Sequence, residues 1–550
     1  MAGSRRKEVG FVLTDESNIA EMRRIIPDLD NILQIAFLCL AVAIVLAQAN
    51  PFYQFPNRDG GLFMYMGSQI LDGKLLYVDI WDNKGPLIFY INALGLFLGR
   101  GLRWGVWGVE FIFVFFAAFF GFNLIKKFWG LVPAIFGTLL WLAAFNNVAR
   151  GGNFTEGYSL LFNFAALYIF WLDLQKGPKR AYLFLVGALL VLSFLLRANN
   201  IGVEFSIILV IILSAFLDKD YRRSLKQLLW VGLGSLFVLA VVSIYFLSLG
   251  TLDEMIVAGY VYNFFYNGEA EGVGELSRSI LRGVNLLGYI SVIPTLLGFL
   301  ILLEKLPDAI RSRQNFPRNF YLLVLIGLPI EILLSSLSGR NYPHYYICWL
   351  PYIAVLSGLL MNALIPAINE NMNKHSMATL LIVISLLVLS KPVVFRQYSN
   401  ALGRLLFDRS AGVEIVHPAA KYVRENTDPA DTVLVWGFQP YINLMARRDS
   451  PTGVLSYPLL VESPFSDELN ARFLQDLIEK RPVLIVDMVN PDNDTIPFID
   501  PVQREVQQQR LKRFHPPSNL DLVFDFIYRN YHVETNIKDV VIYRLNPSTP

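Results

Sequence analysis

The chain has 550 residues, of which 54% are hydrophobic and 17% are charged, and its formal net charge is +2. Soluble domains carry about 25% charged residues, so this composition excludes an ordinary soluble protein. The basic residues are dispersed rather than clustered in a patch, so no nucleic-acid partner is expected. Cys39 and Cys348 both lie in apolar segments and predict neither a disulfide framework nor a zinc site.

Long apolar runs predict a polytopic α-helical membrane protein, because a spanning helix needs roughly 20 apolar residues. The run Pro86–Leu98 is short, and runs of roughly 10–14 residues more often lie in the interface or re-enter the membrane. The polar N-terminal segment does not resemble a cleavable signal peptide, so the first span is expected to direct insertion. About eleven runs are long enough to span: Ile32–Ala49, Trp104–Ile125, Leu131–Val148, Tyr158–Leu174, Ala181–Leu196, Ile201–Leu217, Leu228–Leu249, Val284–Leu303, Phe320–Leu337, Tyr346–Ile365 and Met377–Phe395.

Basic residues predict the orientation of these spans. The N-terminal segment carries Arg5 and Arg23, which favours a cytoplasmic N-terminus. If Pro86–Leu98 does not cross, the basic clusters after later spans, such as Lys126 with Lys127, fall on the same side, and the number of spans is odd. We therefore expect a multi-pass protein of the bacterial inner membrane with a cytoplasmic segment 1–30, a transmembrane domain 31–395 with an outer loop 50–103, and an extracytoplasmic domain 396–550.

The first outer loop contains several charged residues in a pattern that predicts local order. Asp59 precedes a short amphipathic helix that Gly73 could end. Pro86 suits the first turn of the next short helix. The loop is therefore expected to lie on the membrane surface and to present Asp59, Asp82 and Lys84 near the lipid headgroups.

An acid after the first span, an aromatic-rich helix, the segment YVDIWDNKGPL and the following spans together resemble the GT-C glycosyltransferases. The resemblance covers roughly residues 30–350 and is to the family-39-like branch, which includes protein O-mannosyltransferases and lipid A aminoarabinose transferases. It implies a GT-C fold, a polyprenyl-phosphate sugar donor and chemistry at the outer face of the membrane. It also implies a surface helix after the first loop, in agreement with the charge argument. The chain departs from many relatives at Asp59-Gly60, where they have Asp-Glu.

Inverting transfer to a hydroxyl needs a base for the acceptor proton and positive charge for the departing phosphate. Asp59 matches the loop acid of the family and is the candidate base, although it could instead only cap the following helix. Asp82 could be a second acid or a turn residue. Lys84 could contact the lipid phosphate as a point charge, or it could snorkel at the interface.

Further candidates lie at the outer ends of later spans. The resemblance implies that Arg197 and Arg340 occupy places where aminoarabinose transferases carry lysines near the lipid phosphate. Arginines from separate loops could bind one phosphate through paired hydrogen bonds, or each could snorkel to headgroups. The candidate donor-phosphate residues are Lys84, Arg197, Arg340, His344 and Tyr345, and the second outer loop adds Arg150 and Glu156.

Acids within or near spans raise two further hypotheses. Glu331 lies inside an apolar span, where an acid suggests a functional site, although pairing with a polar group of a neighbouring helix is the favoured interpretation; Glu110 and Glu204 are similar. A divalent metal is possible at Asp59, Asp82 and Glu156, but no ligand spacing requires one. The sequence therefore predicts no certain cofactor.

Beyond about residue 395 the composition changes to that of a small soluble α/β domain. Thr432–Trp436, Val483–Asp487 and Val540–Arg544 are predicted strands, and Leu469–Lys480 is a predicted helix. This domain contains no catalytic pattern.

These observations predict a membrane glycosyltransferase that moves a sugar from a polyprenyl-phosphate donor to a hydroxyl of a glycan, lipid or protein acceptor, with membrane lipids as its surroundings. One alternative is a transporter or flippase of lipid-linked glycans, which should show an inverted repeat and polar groups near the bilayer midplane. Another is a polysaccharide polymerase or ligase, which would use a lipid-diphosphate donor.

Overall fold

The computed structural model describes residues 15–177, 179–266, 272–312, 315–337, 339–368, 392–407, 412–455, 463–489, 496–510 and 520–547. The membrane part contains the helices α1 (Asp15–Val45), α2 (Arg58–Leu71), α3 (Leu87–Leu98), α4 (Arg103–Trp129), α5 (Leu131–Val148), α6 (Thr155–Lys176), α7 (Arg180–Leu196), α8 (Gly202–Asp218), α9 (Tyr221–Ser248), α10 (Leu252–Ile256), α11 (Tyr262–Tyr266), α12 (Gly272–Leu287), α13 (Tyr289–Arg311), α14 (Asn315–Ser336) and α15 (Leu350–Ile368). The rest contains α16 (Pro392–Phe407), α17 (Pro418–Glu425), α18 (Tyr441–Ala446), α19 (Ser466–Lys480), α20 (Pro501–Arg510) and α21 (Leu520–Asn530), with strands β1 (Val433–Trp436), β2 (Leu484–Asp487), β3 (Tyr531–Ile537) and β4 (Val540–Leu545).

Eight of the described helices are long and apolar enough to cross a membrane. The apolar helices α3 and α7 are shorter, with 12 and 17 residues. These helices confirm the predicted polytopic membrane protein, while the number of about eleven spans stays a prediction. Most of the predicted span Met377–Phe395 lies outside the described residues.

One predicted span has the wrong boundaries, and another, Tyr346–Ile365, lies within the span Pro343–Pro366 but begins with a different type of helix. The span predicted at Val284–Leu303 is divided, because Gly288 has a φ of 86° between α12 and α13. The span predicted from Tyr346 becomes α-helical only at Leu350, since Pro343–Trp349 form tighter 3₁₀ turns. The 3₁₀ turns contain His344 and Tyr345, two of the predicted site residues.

One end of the helix bundle collects many of the basic residues. Lys126 near the end of α4 donates to Gln34 of α1 over 2.9 Å. The rings of Phe128 and Phe316 lie 4.9 Å apart and join this end of α4 to the start of α14. Arg318 follows there and forms an ion pair with Asp218 at the end of α8 (2.7 Å). The predicted basic clusters after α4 and before α14 therefore share one end of the bundle.

Helix α3 lies across the opposite end of the bundle. At its start, Gly85 packs against the carbonyl of Leu195, near the end of α7. At its other end, Gly95 packs against Val106, near the start of α4. The end of α7 and the first part of α4 belong to the same end of the bundle. Arg197, after α7, pairs with Glu156 at the start of α6, and Glu110 of α4 accepts from the amide of Asn153 just before α6. Both termini of α3 therefore lie on one side.

The C-terminal part forms the expected small α/β domain around a four-stranded sheet in the order β1-β2-β4-β3. β1 and β2 are parallel, with Val433 opposite Leu484, and the other pairs are antiparallel. β3 was missed in the sequence because its polar residues, such as His532 and Glu534, lie on an exposed edge where no apolar run is needed. Among the described strands, β3 pairs only with β4.

The C-terminal domain packs on the first loop, residues 50–103. The amide of Trp81 donates to the carbonyl of Gly453 (2.9 Å), and the amide of Ser450 donates to the Tyr65 hydroxyl (2.8 Å). Arg103 at the start of α4 is almost fully buried and forms an ion pair with Glu414 over 3.1 Å. The loop is thus held between the helix bundle and the domain.

Candidate functional site

The start of α2 places Asp59 at the centre of the candidate site. The side chain of Asn57, not that of Asp59, caps the helix by accepting a hydrogen bond from the amide of Gly60 (2.8 Å). The alternative in which Asp59 only caps α2 is therefore wrong. Asp59 lies in the first helical turn with a side chain that is 27% exposed, so its carboxylate is available to a ligand. Gly73 follows the end of α2 with a φ of 87°, as predicted.

His344 lies directly beside Asp59. Its Nε2 atom is 3.9 Å from Oδ2 of Asp59. The imidazole stacks between two rings, that of Phe154 at 4.4 Å and that of Tyr342 at 5.7 Å. This packing fixes the plane of the imidazole and brings the second outer loop, which contains Phe154, next to the first.

A buried ion pair forms the next part of the site. Arg197, just after α7, pairs with Glu156 at the start of α6, and its guanidinium lies 3.7 Å from the centre of the Tyr345 ring. Burial alone would lower the pKa of Arg197, but Tyr345 and Glu156 raise it above its usual value, so the guanidinium stays charged. Glu156 also accepts a hydrogen bond from Thr155 over 2.9 Å.

The turn that contains Lys84 faces this ion pair. Its amide donates to the carboxylate of Asp82 (3.0 Å), and its carbonyl accepts from the hydroxyl of Tyr77 (2.7 Å). Asp82 is only 1% exposed, so it stabilises the turn, and its catalytic role stays a prediction. The ammonium group of Lys84 donates to Asn83 over 3.0 Å. Asn83 in turn bonds to Asn263 beyond α10.

A cavity of about 410 Å³ lies beside these residues. Lys84, Arg197 and Tyr345 line it together with Phe194 and Tyr260, whose rings stack 4.8 Å apart. The hydroxyl of Tyr260 has no hydrogen-bond partner among the described residues, and burial raises its pKa, so it remains a donor. The cavity thus offers two cations and a hydroxyl donor between aromatic side chains. This lining suits a ligand with an anionic head group and an apolar chain.

The charges of the site act on one another. His344 is under the influence of Glu156, Asp59, Arg197 and Lys84. The structure therefore brings together five of the predicted residues, from the first loop, the second loop and the ends of α7 and α14. Tyr345 joins them through Arg197.

Two of the predicted site residues, Arg150 and Arg340, lie apart from the cavity beside Lys84. Arg150 is exposed at the beginning of the second outer loop. Arg340 acts on Tyr262, a residue that Asp82 also influences. Neither arginine lines the cavity beside Lys84. Their roles at a phosphate stay predictions.

The possible metal site has no support in the arrangement of its residues. No three His, Cys, Asp or Glu side chains of the described residues are grouped to hold a metal ion. Of the three acids considered for it, Glu156 is paired with Arg197 and Asp82 bonds to its own turn. Asp59, Asp82 and Glu156 therefore do not fit a shared divalent ion.

The sequence did not predict the asparagines that hold the two loops together. Asn153 has a φ of 58° and donates to Asn92 of α3 and to the carbonyl of Gly60, while its own amide bonds to Glu110. Asn57 donates to Gly152 over 2.7 Å. Asparagine tolerates positive φ, so the run Gly-Gly-Asn indicated a tight turn, but nothing in the sequence identified its partners.

Comparisons with solved structures define the class of protein. The chain is similar to ArnT from Cupriavidus metallidurans bound to undecaprenyl phosphate, with a TM-score of 0.57 and 12% identity over 94% of this chain and 98% of that chain. The apo state of the same protein gives a TM-score of 0.55 with the same identity and coverage. The chain is thus a polytopic α-helical membrane protein with the GT-C fold and a small C-terminal α/β domain.

A comparison of the sequence with family models identifies the family of the chain. Residues 23–396, more than half of the chain, match the family model of the competence-induced protein Ccs4 N-terminal domain, and the chain belongs to this family. No curated protein sequence matches the chain.

Proposed function

We propose that the chain is a membrane glycosyltransferase that transfers a sugar from a polyprenyl-phosphate donor to an acceptor hydroxyl, with inversion. The observation that carries this proposal is that His344 lies 3.9 Å from Asp59 and is also under the influence of Lys84 and Arg197, which line the cavity. The fold supports the kind of donor, since the similar ArnT structure contains undecaprenyl phosphate. The family-39-like branch is the proposed relative within the GT-C superfamily.

The proposed reaction uses the charges at this end of the bundle. The donor phosphate binds near Lys84 and Arg197, and its apolar chain extends along Phe194 and Tyr260. Asp59 takes the proton from the acceptor hydroxyl, whose oxygen attacks the anomeric carbon. The bond from that carbon to the phosphate oxygen breaks, and the phosphate leaves with the electron pair. Positive charge at the phosphate stabilises this departure.

The proposed setting is the inner membrane of a bacterium, with the N-terminus in the cytoplasm. The basic end of the bundle would then face the cytoplasm, and the first loop and residues 396–550 would face outward. The same distribution of basic residues assigns residues 1–30 to the cytoplasm and residues 31–395 to the transmembrane domain in this proposal. Residues 396–550 would cover the first loop from the outside.

The test of this function is the release of undecaprenyl phosphate from labelled donors. Purified protein is incubated with undecaprenyl-phosphate glucose, mannose or aminoarabinose, and hydroxyl acceptors from cell envelopes are added. We expect release with one of these donors and a loss of about 100-fold or more in Asp59→Asn, because a base contributes roughly 10²–10⁴-fold. Asp72→Asn, at the exposed far end of α2, is the matched control and should retain activity.

Measuring the binding of undecaprenyl phosphate distinguishes a variant that has lost catalysis from one that has lost its fold. Asp59→Asn should bind undecaprenyl phosphate like the wild type, whereas Lys84→Met should bind it more weakly, with uncharged undecaprenol as the control lipid. Full activity of Asp59→Asn would remove this residue from the role of base. Movement of intact donor across vesicles without release would indicate a flippase, and turnover of lipid-diphosphate donors alone would indicate a polymerase or ligase.

A further inference from the structure

Two acids are fully buried inside the bundle, apart from the residues of the proposed reaction. Glu204 lies in the first turn of α8 and Glu331 lies in α14, and neither is exposed. Glu331 packs so closely on Gly202 that a Cβ atom there would lie 2.4 Å from its carboxyl carbon. An acid within a spanning helix is costly and is by default evidence of a functional site.

The two acids belong to one cluster. Both act electrostatically on Tyr352 of α15 and on Cys348 just before that helix, and Glu204 acts on Glu331. Ser193 of α7 donates to Glu204 over 3.3 Å. The cluster thus joins four helices at a depth where all of these side chains are buried.

The cluster has more oxygen acceptors than donors. Among the described residues, both carboxylate oxygens of Glu331 and one of Glu204 have no hydrogen-bond partner of normal geometry, and the hydroxyl of Tyr352 contacts only Ser206. Native proteins rarely leave buried polar atoms in this state, and an ion or water at the position is a common reason. The fully buried Tyr352 hydroxyl is a further oxygen that faces the same two acids.

The N-terminus of α8 can compensate only part of the negative charge that Glu204 and Glu331 carry when they are ionised. The backbone amide of Val203 at the start of α8 faces Glu331, and a helix N-terminus carries about half a positive charge. Two carboxylates share this one terminus, because Glu204 lies in the same turn. Arg197 acts on Cys348, but it is already paired with Glu156. In their ionised forms the two acids would therefore carry more than one unit of negative charge that this terminus does not balance.

We propose that Glu204, Glu331 and the hydroxyl of Tyr352 form a binding site for a small monovalent cation such as Na⁺. Carboxylate and hydroxyl oxygens are the ligands that hard cations prefer. A single bound cation would balance most of the negative charge of the ionised pair and so allow these acids to be buried in the charged form. The site is distinct from the cavity beside Lys84 and does not depend on the proposed transferase activity.

The test is the cation dependence of thermal stability in the full-length protein in detergent. The unfolding midpoint is measured in NaCl, KCl and choline chloride at equal ionic strength and pH, so that general salt effects cancel. We expect the midpoint to rise with Na⁺ and not with choline, because a ligand that binds the folded state stabilises it. Glu331→Gln and Glu204→Gln should each weaken the apparent affinity for Na⁺ by about tenfold or more.

The matched control is Glu110→Gln. Glu110 is also a buried acid of a spanning helix, but it accepts a hydrogen bond from the amide of Asn153 over 2.7 Å. This variant should keep the Na⁺ response of the wild type. Binding of radioactive Na⁺ to the wild type, with competition by unlabelled NaCl and by KCl, gives a second measurement that needs no variant.

Two outcomes would overturn the proposal. One is a wild-type midpoint that depends on pH but not on Na⁺, which would mean that protons neutralise the acids. The other is a Na⁺ response that persists in the double variant Glu204→Gln with Glu331→Gln. Loss of transferase activity in Asp59→Asn would leave the cation result unaffected, so the two proposals fail separately.

Discussion

The ion pair between Arg197 and Glu156 determines how much of the positive charge of Arg197 is available to a ligand. Glu156 is 1% exposed and Arg197 is 17% exposed, so neither charge is well solvated. Removing one partner of a buried pair leaves an uncompensated charge and typically costs about 3–5 kcal/mol. Arg197 should thus hold its position largely because Glu156 is there.

We expect Glu156→Gln to lower the stability of the folded protein by about 3 kcal/mol, whereas the double variant with Arg197→Gln should recover part of this loss. Both single variants and the double variant are compared by thermal unfolding in detergent. Additive effects of the two substitutions would contradict the coupling. Lys84→Met is the control, because Lys84 bonds to Asn83 rather than to this pair.

Sequence reasoning identified the charged residues of the site more readily than the residues that position them. Asp59 and Lys84 were predicted from the resemblance of the first loop to the GT-C glycosyltransferases, and Arg197 from that resemblance together with its charge at the end of an apolar run. Phe154 could not be predicted, since an aromatic ring near an interface is ordinary and its stacking on His344 arises only in the folded chain. The assignment of roles at the site remains a prediction.

At the scale of elements, Asn57 joins the first and second loops through the oxygen and the nitrogen of its side-chain amide. Its oxygen accepts from the amide of Gly60 and caps α2, and its nitrogen donates to the carbonyl of Gly152 (2.7 Å). The first bond determines where α2 begins and therefore where Asp59 lies. The second bond ties that start to the loop that carries Phe154.

We expect Asn57→Ala to destabilise the start of α2 by about 1 kcal/mol, the usual cost of losing a cap. Asn57→Asp keeps the cap acceptor but loses the donor to Gly152, so it should weaken only the contact between the loops. Hydrogen exchange of the amides in 58–62 and 150–155 measures the two effects separately. Equal exchange at both segments in both variants would argue against the division of roles.

The sequence predicted the existence of the spanning helices better than their ends. Apolar length is sufficient to predict α4, α5 and α6. The break at Gly288 was missed because the residues on both sides are apolar. Hydropathy does not indicate where the backbone adopts a positive φ, as it does at Gly288. The same reason explains the late start of α15, where the apolar segment before Leu350 forms 3₁₀ turns.

At the scale of the whole molecule, the C-terminal domain and the first loop form one packed unit. His417 lies at this junction, with its ring 5.1 Å from that of Phe55 and 6.3 Å from that of Tyr441. Its Nδ1 atom accepts from the amide of Ala419 (3.2 Å) and caps α17. Burial, together with the charge of Lys538, lowers the pKa of His417 in the folded protein.

The junction should therefore lose stability as the pH falls. A histidine with a lowered folded-state pKa binds fewer protons in the folded than in the unfolded state near pH 6, so its contribution is complete above the unfolded value of about 6.5 and declines below it. Protonation also removes the acceptor that caps α17. His417→Asn retains a capping oxygen without a titrating group and should reduce the loss of stability between about pH 8 and pH 5. Thermal unfolding and hydrogen exchange of 418–425 at both pH values test this expectation, and an equal loss in the wild type and the variant would contradict it.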